Sequence, residues 1–354
     1  MAPRILAFLA SIAWLVSFWL MLNRTEPFYT HFYSIAWWCY ILLLASLNEI
    51  RAAESSFRFP SLFRAPFAYC LLVLFSAAFW FVFELYNVRL HNWIYRGVPM
   101  ERAVRWPGYF ISFGTVLPGV FETVRWLEGR FQGAGRDESR QAGKPQVPWK
   151  PHYARIAVIG GIVMMILPLV YPALFFPVVW GGLVFILDPW MERLGETNLV
   201  ANLFFGNRRT PVLLLASGLI CGFFWEFWNY WAGAKWVYSL PYLQFPRIFE
   251  MPLAGYLGFP PFTMECWLTF AAARYWWLHR GWLGRCFLAV ILAGVCVAGI
   301  YAVDHFTIRE YRPPPPTVSL GTVSTAGVSP RTVARLHLLR FYVPGHGLTP
   351  AVLT

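Results

Sequence analysis

Residues 211–231 read PVLLLASGLICGFFWEFWNYW, and this stretch decides the fold class. It is long enough and apolar enough for one α-helix to cross the hydrocarbon core of a bilayer. A single acidic residue, Glu226, interrupts the run. A carboxyl at that depth must be paired or protonated, because an isolated charge in the membrane is costly. The stretch therefore predicts a transmembrane helix and marks Glu226 as a candidate functional residue.

The composition of the whole chain agrees with this interpretation. Hydrophobic residues make up 58% of the 354 residues, and charged residues make up 13%. Soluble domains average about 25% charged residues, so an ordinary soluble protein is excluded. The chain is predicted to be an all-α polytopic transmembrane helical bundle of about nine spans. The expected spans are 4–22, 31–48, 66–87, 107–127, 155–172, 173–190, 211–231, 252–278 and 284–304.

The surroundings of Glu226 recur at an offset of 142 residues. Glu84 and Asn87 match Glu226 and Asn229, although only 17 residues of the chain are acidic. With one residue inserted, the match extends over four further positions. These are Trp93, Tyr95, Pro118 and Glu122, which recur as Trp236, Tyr238, Pro261 and Glu265. The pattern predicts two tandem repeats of four spans each, related by an axis along the membrane normal.

The repeats set the expected domain boundaries. The first transmembrane repeat covers 1–128, and a cytoplasmic linker rich in Gly, Arg, Gln and Lys covers 129–153. The second repeat covers 154–279, and an additional transmembrane helix covers 280–305. A proline-rich linker and a small tail, 306–354, complete the chain.

The distribution of basic residues indicates topology. The net charge is +12, which by itself suggests a nucleic-acid partner. However, 17 of the 29 Lys and Arg residues lie at the N-terminus and in alternate loops that would share one side of the membrane. This bias follows the positive-inside rule and argues against nucleic acid. We expect a multi-pass protein of the bacterial inner membrane with a cytoplasmic N-terminus, and nine spans place the C-terminus outside.

Four glutamates are the candidate catalytic residues. Glu226 and Asn229 share a helix face because they are three residues apart, as are Glu84 and Asn87. Glu265 and Glu122 each follow a proline by four residues. A proline inside a helix breaks or kinks it and frees carbonyls, which a membrane tolerates where they line a cavity. We expect the four acids to converge near the repeat axis, share protons and accept hydrogen bonds from the two asparagines.

Aromatic residues beside these acids are candidate substrate contacts. The spacing Trp-x-Tyr occurs twice, and it is typical either of an aromatic belt at the membrane interface or of a cavity roof. The candidate substrate-binding residues are Asn229, Asn87, Trp236, Tyr238, Trp225 and Tyr256. No metal or cofactor is expected, since no ligand spacing or nucleotide-binding motif is visible.

The second copy resembles the small membrane-bound lycopene cyclase family. The resemblance is carried by Trp225-Glu226, Trp236-Val-Tyr238, Glu250-Met-Pro252 and Glu265, over about 45 residues. The family has an aspartate in place of Glu226 and an adjacent pair of glutamates that this chain lacks. The stretch 221–265 is also similar to a bacterial polytopic membrane protein family of unassigned function. The first resemblance implies acid-catalysed cyclisation of an isoprenoid without a redox change.

Three functions fit these patterns. The first is an intramembrane acidic and aromatic cavity that binds or cyclises an isoprenoid or lipid, as a cofactor-independent lycopene cyclase-like isomerase would. The second is a proton-coupled membrane transporter, since broken helices and buried acids suit alternating access. The third is a structural membrane scaffold. In each case the expected partner is membrane lipid or isoprenoid.

Overall fold

The structure, a computed structural model, describes residues 1–51, 57–131, 148–195, 198–242 and 244–313. Residues 1–313 form one compact unit. Most of the expected cytoplasmic linker and nearly all of the proline-rich tail lie outside the described residues. The described part of the chain is predominantly helical, which confirms the all-α class.

Twelve α-helices lie in the described residues. They are α1 (Ala2–Leu22), α2 (Phe32–Arg51), α3 (Pro66–Leu90), α4 (Arg102–Phe113), α5 (Val116–Phe131), α6 (Pro151–Val170), α7 (Pro172–Phe175), α8 (Gly182–Arg193), α9 (Leu199–Phe205), α10 (Arg209–Trp231), α11 (Phe259–His279) and α12 (Trp282–Ala302). Two 3₁₀ segments, Phe176–Trp180 and Leu253–Gly258, precede α8 and α11, and a π-helical turn, Val303–Thr307, follows α12.

Seven helical segments among the described residues are long and apolar enough to cross a membrane. They are Ala2–Leu22, Phe32–Arg51, Pro66–Leu90, Pro151–Val170, Pro172–Arg193, Arg209–Trp231 and Trp282–Thr307. Polytopic membrane character is therefore well founded, while the count of nine spans is not confirmed. The two remaining expected spans are those at 107–127 and 252–278. The first is divided between α4 and α5, and the second begins with a 3₁₀ segment.

The prolines before Glu122 and Glu265 start helices rather than kink them. Pro260 lies at the beginning of α11, and Pro118 lies in the first turn of α5. Proline is accommodated there because the first amides of a helix have no intrahelical acceptor to lose. Each of the two spans is therefore interrupted just before its proline, which is the first of the two outcomes expected, a break or a kink. Both acids lie in the second turn of a helix.

Short strands link the two halves of the unit. Strand β1 (Trp93–Arg96) pairs antiparallel with β3 (Lys235–Tyr238), with Trp93 opposite Tyr238 and Tyr95 opposite Trp236. The smaller pairs are β2 (Val98–Pro99) with β6 (Tyr311–Arg312), and β4 (Arg247–Ile248) with β5 (Met251–Pro252). The two Trp-x-Tyr segments therefore meet in one ladder.

Helix α10 is central to the packing and touches α2, α5 and α11. Gly218 and Gly222 let it approach the start of α11. A Cβ atom on Gly218 would lie 2.7 Å from the carbonyl oxygen of Phe259. Small residues four apart bring helices together in this way in membranes. The additional helix α12 packs on α3, so the two halves of the unit differ there. The two-repeat organisation itself remains a prediction.

Candidate functional site

Glu84 accepts hydrogen bonds from three side chains. The hydroxyl of Tyr95 donates over 2.6 Å, and the indole nitrogens of Trp80 and Trp93 donate over 2.9 and 3.2 Å. The glutamate is completely buried. Trp80 precedes it by one helical turn of α3, while Trp93 and Tyr95 reach it from β1. Three donors satisfy this carboxyl as an acceptor, because a buried carboxylate needs several such bonds.

Glu226 has the corresponding tyrosine but fewer donors. Tyr238 donates to its Oε1 over 2.7 Å. Its Oε2 is buried and has no hydrogen-bond partner in the described part of the chain. The Trp236 side chain also lies close to this carboxyl. The two matched glutamates therefore differ in chemistry, since Glu226 keeps one oxygen free for a proton.

Asn87 and Asn229 hold the strands in place. Asn229 donates to the carbonyl of Trp236 over 2.9 Å and accepts from its amide over 3.0 Å. Asn87 does the same for Trp93 and also accepts from the amide of Asn92 over 2.8 Å. The expectation that these amides donate to the glutamates was wrong. They fix the Trp-x-Tyr segments whose side chains reach the acids.

The tyrosines of the two pairs are neutral donors. Burial is the main reason that the pKa of Tyr95 lies well above the ordinary range, and the charge of Glu84 raises it further. Burial likewise raises the pKa of Tyr238 well above the ordinary range. Each phenol therefore keeps its proton at any physiological pH, and that proton points at a carboxyl.

Both tyrosines border a cavity of about 530 Å³. The wall is mostly apolar, and 11 of its 24 residues are aromatic. The residues that border the cavity are Trp80, Asn92, Trp93, Tyr95, Met164, Phe176, Pro177, Val178, Trp180, Gly181, Phe185, Trp225, Trp236, Tyr238, Leu240, Met251, Pro252, Ala254, Gly255, Leu257, Gly258, Phe259, Pro261 and Phe262. A cavity of this size and character suits an apolar ligand.

An aromatic wall separates this cavity from a smaller one of about 90 Å³. Trp80, Tyr95, Trp225 and Trp236 border both spaces. The rings of Trp80 and Trp225 lie 5.0 Å apart. Trp93 and Trp236 are nearly fully buried, at 5% and 8% exposure. The Trp-x-Tyr segments therefore form a cavity wall rather than an aromatic belt.

Glu122 and Glu265 belong to other surroundings. Glu122 accepts from Asn48 over 2.8 Å and lies 3.7 Å from Arg125. Glu265 accepts from the amide of Leu183, in the first turn of α8, over 3.0 Å. Its Oε2 has no partner among the described residues. The four acids thus have four separate sets of partners, rather than the shared protons that the sequence suggested.

The structure sorts the predicted substrate contacts into two groups. Trp225, Trp236 and Tyr238 border the cavity. Asn87 and Asn229 lie behind the cavity wall and hold the strands that form it. Tyr256 lies beside the cavity and donates to the carbonyl of Ile248. Three residues that border the cavity were not predicted from the sequence, namely Trp80, Asn92 and Trp180. Trp80 was detectable because it precedes Glu84 by four residues, on the same face of α3.

Comparison of the chain with protein-family models, curated proteins and solved structures finds no match. The argument for function therefore depends on the geometry of this site.

Proposed function

We propose that this protein binds an isoprenoid or a similar unsaturated lipid in the aromatic cavity. The observation that carries the proposal is the position of Tyr95 and Tyr238. Both residues border an apolar space of about 530 Å³, and the hydroxyl of each donates a hydrogen bond to a buried glutamate. An apolar chain would fill the space, and the phenols would lie beside its double bonds.

Access to the cavity supports a membrane-soluble ligand. Leu257 borders the cavity, yet its side chain is 75% exposed, so it lies at the mouth. Leu253 begins the same 3₁₀ segment and is 49% exposed. Exposed large apolar residues at a cavity mouth suit contact with lipid. We infer that the ligand enters from the bilayer between this segment and Phe176–Trp180.

The enzymatic form of the proposal is acid-catalysed cyclisation. Glu226 carries the proton, because burial disfavours its charged form and Oε2 lacks a donor. Glu226 would transfer its proton to the oxygen of Tyr238 while the hydroxyl proton of Tyr238 passes to an alkene, so that no tyrosinate forms. The resulting carbocation is attacked by a second double bond, a ring bond forms, and loss of a proton returns it to the Tyr238–Glu226 pair. The reaction is an isomerisation and needs no oxidant.

The aromatic wall would stabilise the intermediate of this reaction. Trp80, Trp225 and Trp236 present rings to the cavity, and cations are attracted to the faces of such rings. Estimates of this attraction are about 2 kcal/mol where the site is dry. The wall would also exclude water, which would otherwise capture a carbocation.

The decisive experiment is lipid analysis of the purified protein. Protein isolated in mild detergent should carry an unsaturated lipid that mass spectrometry detects after solvent extraction. Incubation with linear isoprenoids should then give a product of unchanged mass and altered chromatographic retention. The test variant is Leu257→Arg, which places a charged side chain at the mouth of the cavity and should reduce the lipid content. Equal lipid content in this variant and in the wild type would contradict the proposed cavity.

The alternative is a proton-coupled transporter. The observation that favours testing it is the buried carboxyl oxygen of Glu265, which is unpaired among the described residues. Its free oxygen is completely buried in α11. Proton-coupled flux in liposomes should disappear in Glu265→Gln if this acid carries the proton. An absence of flux in wild-type liposomes would remove the transporter from consideration.

The cellular setting is part of the proposal. We place the protein in the bacterial inner membrane with a cytoplasmic N-terminus, supported by the basic bias of alternate loops. The same assignment treats the two halves as tandem repeats whose second copy is active. Reporter fusions at Thr354 test the orientation, since a reporter active only in the cytoplasm should be silent there.

A further inference from the structure

The turn that joins α11 to α12 carries two arginines without an acidic partner. Arg280 and Arg285 are exposed, and neither forms a salt bridge in the described part of the chain. The sequence has no aspartate or glutamate between Glu265 and Asp304, so no acid from either helix of this hairpin offsets their charge. The turn is therefore a positive patch that attracts an anionic group.

Both guanidinium groups lie over indole rings. Cζ of Arg280 is 5.0 Å from the ring centre of Trp276, and Cζ of Arg285 is 5.7 Å from the ring centre of Trp277. Nε of Arg285 also donates to the carbonyl of Trp277 over 2.8 Å. The indole of Trp276 donates to the carbonyl of Gly284 over 2.9 Å. These bonds tie the end of α11 to the start of α12, so both arginines are held at the turn before a ligand binds.

Most donors of the two arginines are unused. In the described part of the chain, the guanidinium of Arg280 donates no hydrogen bond, and that of Arg285 donates only through Nε. The remaining N–H groups form a planar fork that matches two oxygens of a phosphate or carboxylate. Because the side chains are already positioned, little conformational entropy is lost when such a group binds.

The patch lies at the end of a helix that is largely uncovered. The segment Trp282–Thr307 is apolar enough to cross a membrane, and only 17% of its most apolar part is buried. Trp282 and Phe287, near its start, are 71% and 58% exposed. A helix of 21 residues such as α12 is about 31 Å long, close to the thickness of the hydrocarbon core. The turn therefore sits at the depth of the lipid headgroups, with apolar surface running from it into the bilayer.

We propose that this turn binds the headgroup of an anionic phospholipid. Arg280 and Arg285 hold the phosphate, and the acyl chains lie along the exposed side of α12. Basic residues beside the end of a membrane helix attract anionic lipids in this way. A zwitterionic lipid gains less, because its own cation competes with the arginines for the phosphate. Neither arginine borders a cavity, so the site is independent of the proposed function.

The test compares two probes with identical acyl chains, phosphatidylglycerol and phosphatidylcholine. The full-length protein in mild detergent is mixed with equal amounts of both, and native mass spectrometry measures which lipid stays bound. The wild type should retain phosphatidylglycerol. The double variant Arg280→Gln/Arg285→Gln should lower the affinity for this lipid about 30-fold, as expected for the loss of two basic residues. Arg247→Gln is the matched control, because Arg247 also lies over an aromatic ring, that of Phe245, at 5.4 Å.

Four outcomes would overturn the assignment. The first two are equal retention of the two lipids by the wild type and an unchanged affinity in the double variant. A loss as large in Arg247→Gln would show that total charge, rather than this turn, controls binding. Displacement of the lipid by excess soluble glycerol phosphate would show that the turn takes a free phosphate group. If the double variant does not fold, Arg280→Gln alone should lower the affinity about fivefold, and an unchanged affinity there contradicts the proposal.

Discussion

The hydroxyl of Tyr238 donates to Glu226 over 2.7 Å, and of this pair the tyrosine is the member that borders the cavity. A ligand would therefore meet a phenol first and a carboxyl behind it. The same arrangement joins Tyr95 to Glu84, where two tryptophans also donate. Glu226 accepts fewer hydrogen bonds than Glu84, so we assign the proton source to Glu226.

Tyr238→Phe should abolish isomerisation while retaining the bound lipid. The change removes one oxygen that links Glu226 to the cavity and leaves the ring in place. A loss of about 10²-fold or more in turnover is expected from removing a positioned proton donor. Product formation and lipid content are measured on the same preparation. Tyr95→Phe is the matched control and should reduce turnover far less, and the reverse order would contradict our assignment.

Asn229→Leu should destabilise the protein because it removes both bonds that hold Trp236. Two buried main-chain groups would be left unpaired, at about 1–3 kcal/mol each. The measurement is the midpoint of thermal unfolding in detergent. Asn23→Leu removes an exposed bond to Trp19 and should be nearly neutral. Equal midpoints for the two variants would show that Asn229 does not hold the strand.

Gly218→Val should disrupt the contact between α10 and α11. The nearest atoms to a Cβ here are main-chain atoms of Phe259 and Pro260, at 2.7 and 2.9 Å, so they cannot rotate away. Overpacking of this kind typically costs about 1–3 kcal/mol. Gly160→Val is the control, since no atom lies within 4 Å of the Cβ position there. A smaller effect at Gly218 than at Gly160, in the same unfolding assay, would contradict this packing.

Arg105 and Asp304 should behave as a coupled pair. They form a salt bridge of 2.8 Å with side chains 4% and 8% exposed, and Tyr109 also donates to the aspartate. Arg105→Leu should cost about 3–5 kcal/mol, because it leaves a buried charge unpaired. The double variant with Asp304→Leu should lose less than the sum of the single changes. Additive losses in unfolding experiments would indicate that the two residues do not interact.

Glu265→Gln should fold normally, whereas Glu265→Leu should not. The amide oxygen of glutamine still accepts from Leu183, while leucine leaves that buried amide without an acceptor. The expected loss for leucine is about 1–3 kcal/mol. Size-exclusion profiles and unfolding midpoints compare the two variants directly. Similar midpoints would mean that the bond to Leu183 contributes little.

Some of these features were visible in the sequence alone. The apolar stretch 211–231 predicted a membrane helix because hydrophobic length is a local property. The recurrence of Glu84 and Glu226 drew attention to residues that are both fully buried. The repeated Trp-x-Tyr spacing left two interpretations open, an aromatic belt and a cavity roof, and both segments border the cavity in the structure.

Other features depended on contacts between distant segments. Glu84 and Glu226 look equivalent in sequence, but Trp80 and Trp93 donate to one and the second oxygen of the other stays free. Pro261 was expected to break or kink a helix. Its actual place, in the first turn of α11, is set by where the preceding 3₁₀ segment ends.

The sequence by itself determined the helical class with long apolar spans and singled out four acids that are all fully buried, because hydrophobicity and charge are properties of single residues and short windows. Tertiary structure alone decided that β1 pairs with β3 and that Tyr95 and Tyr238, rather than their glutamate partners, border the cavity. Residues such as Tyr95 and Trp236 are far apart along the chain. Their pairing depends on the packing of whole helices, which no local pattern encodes.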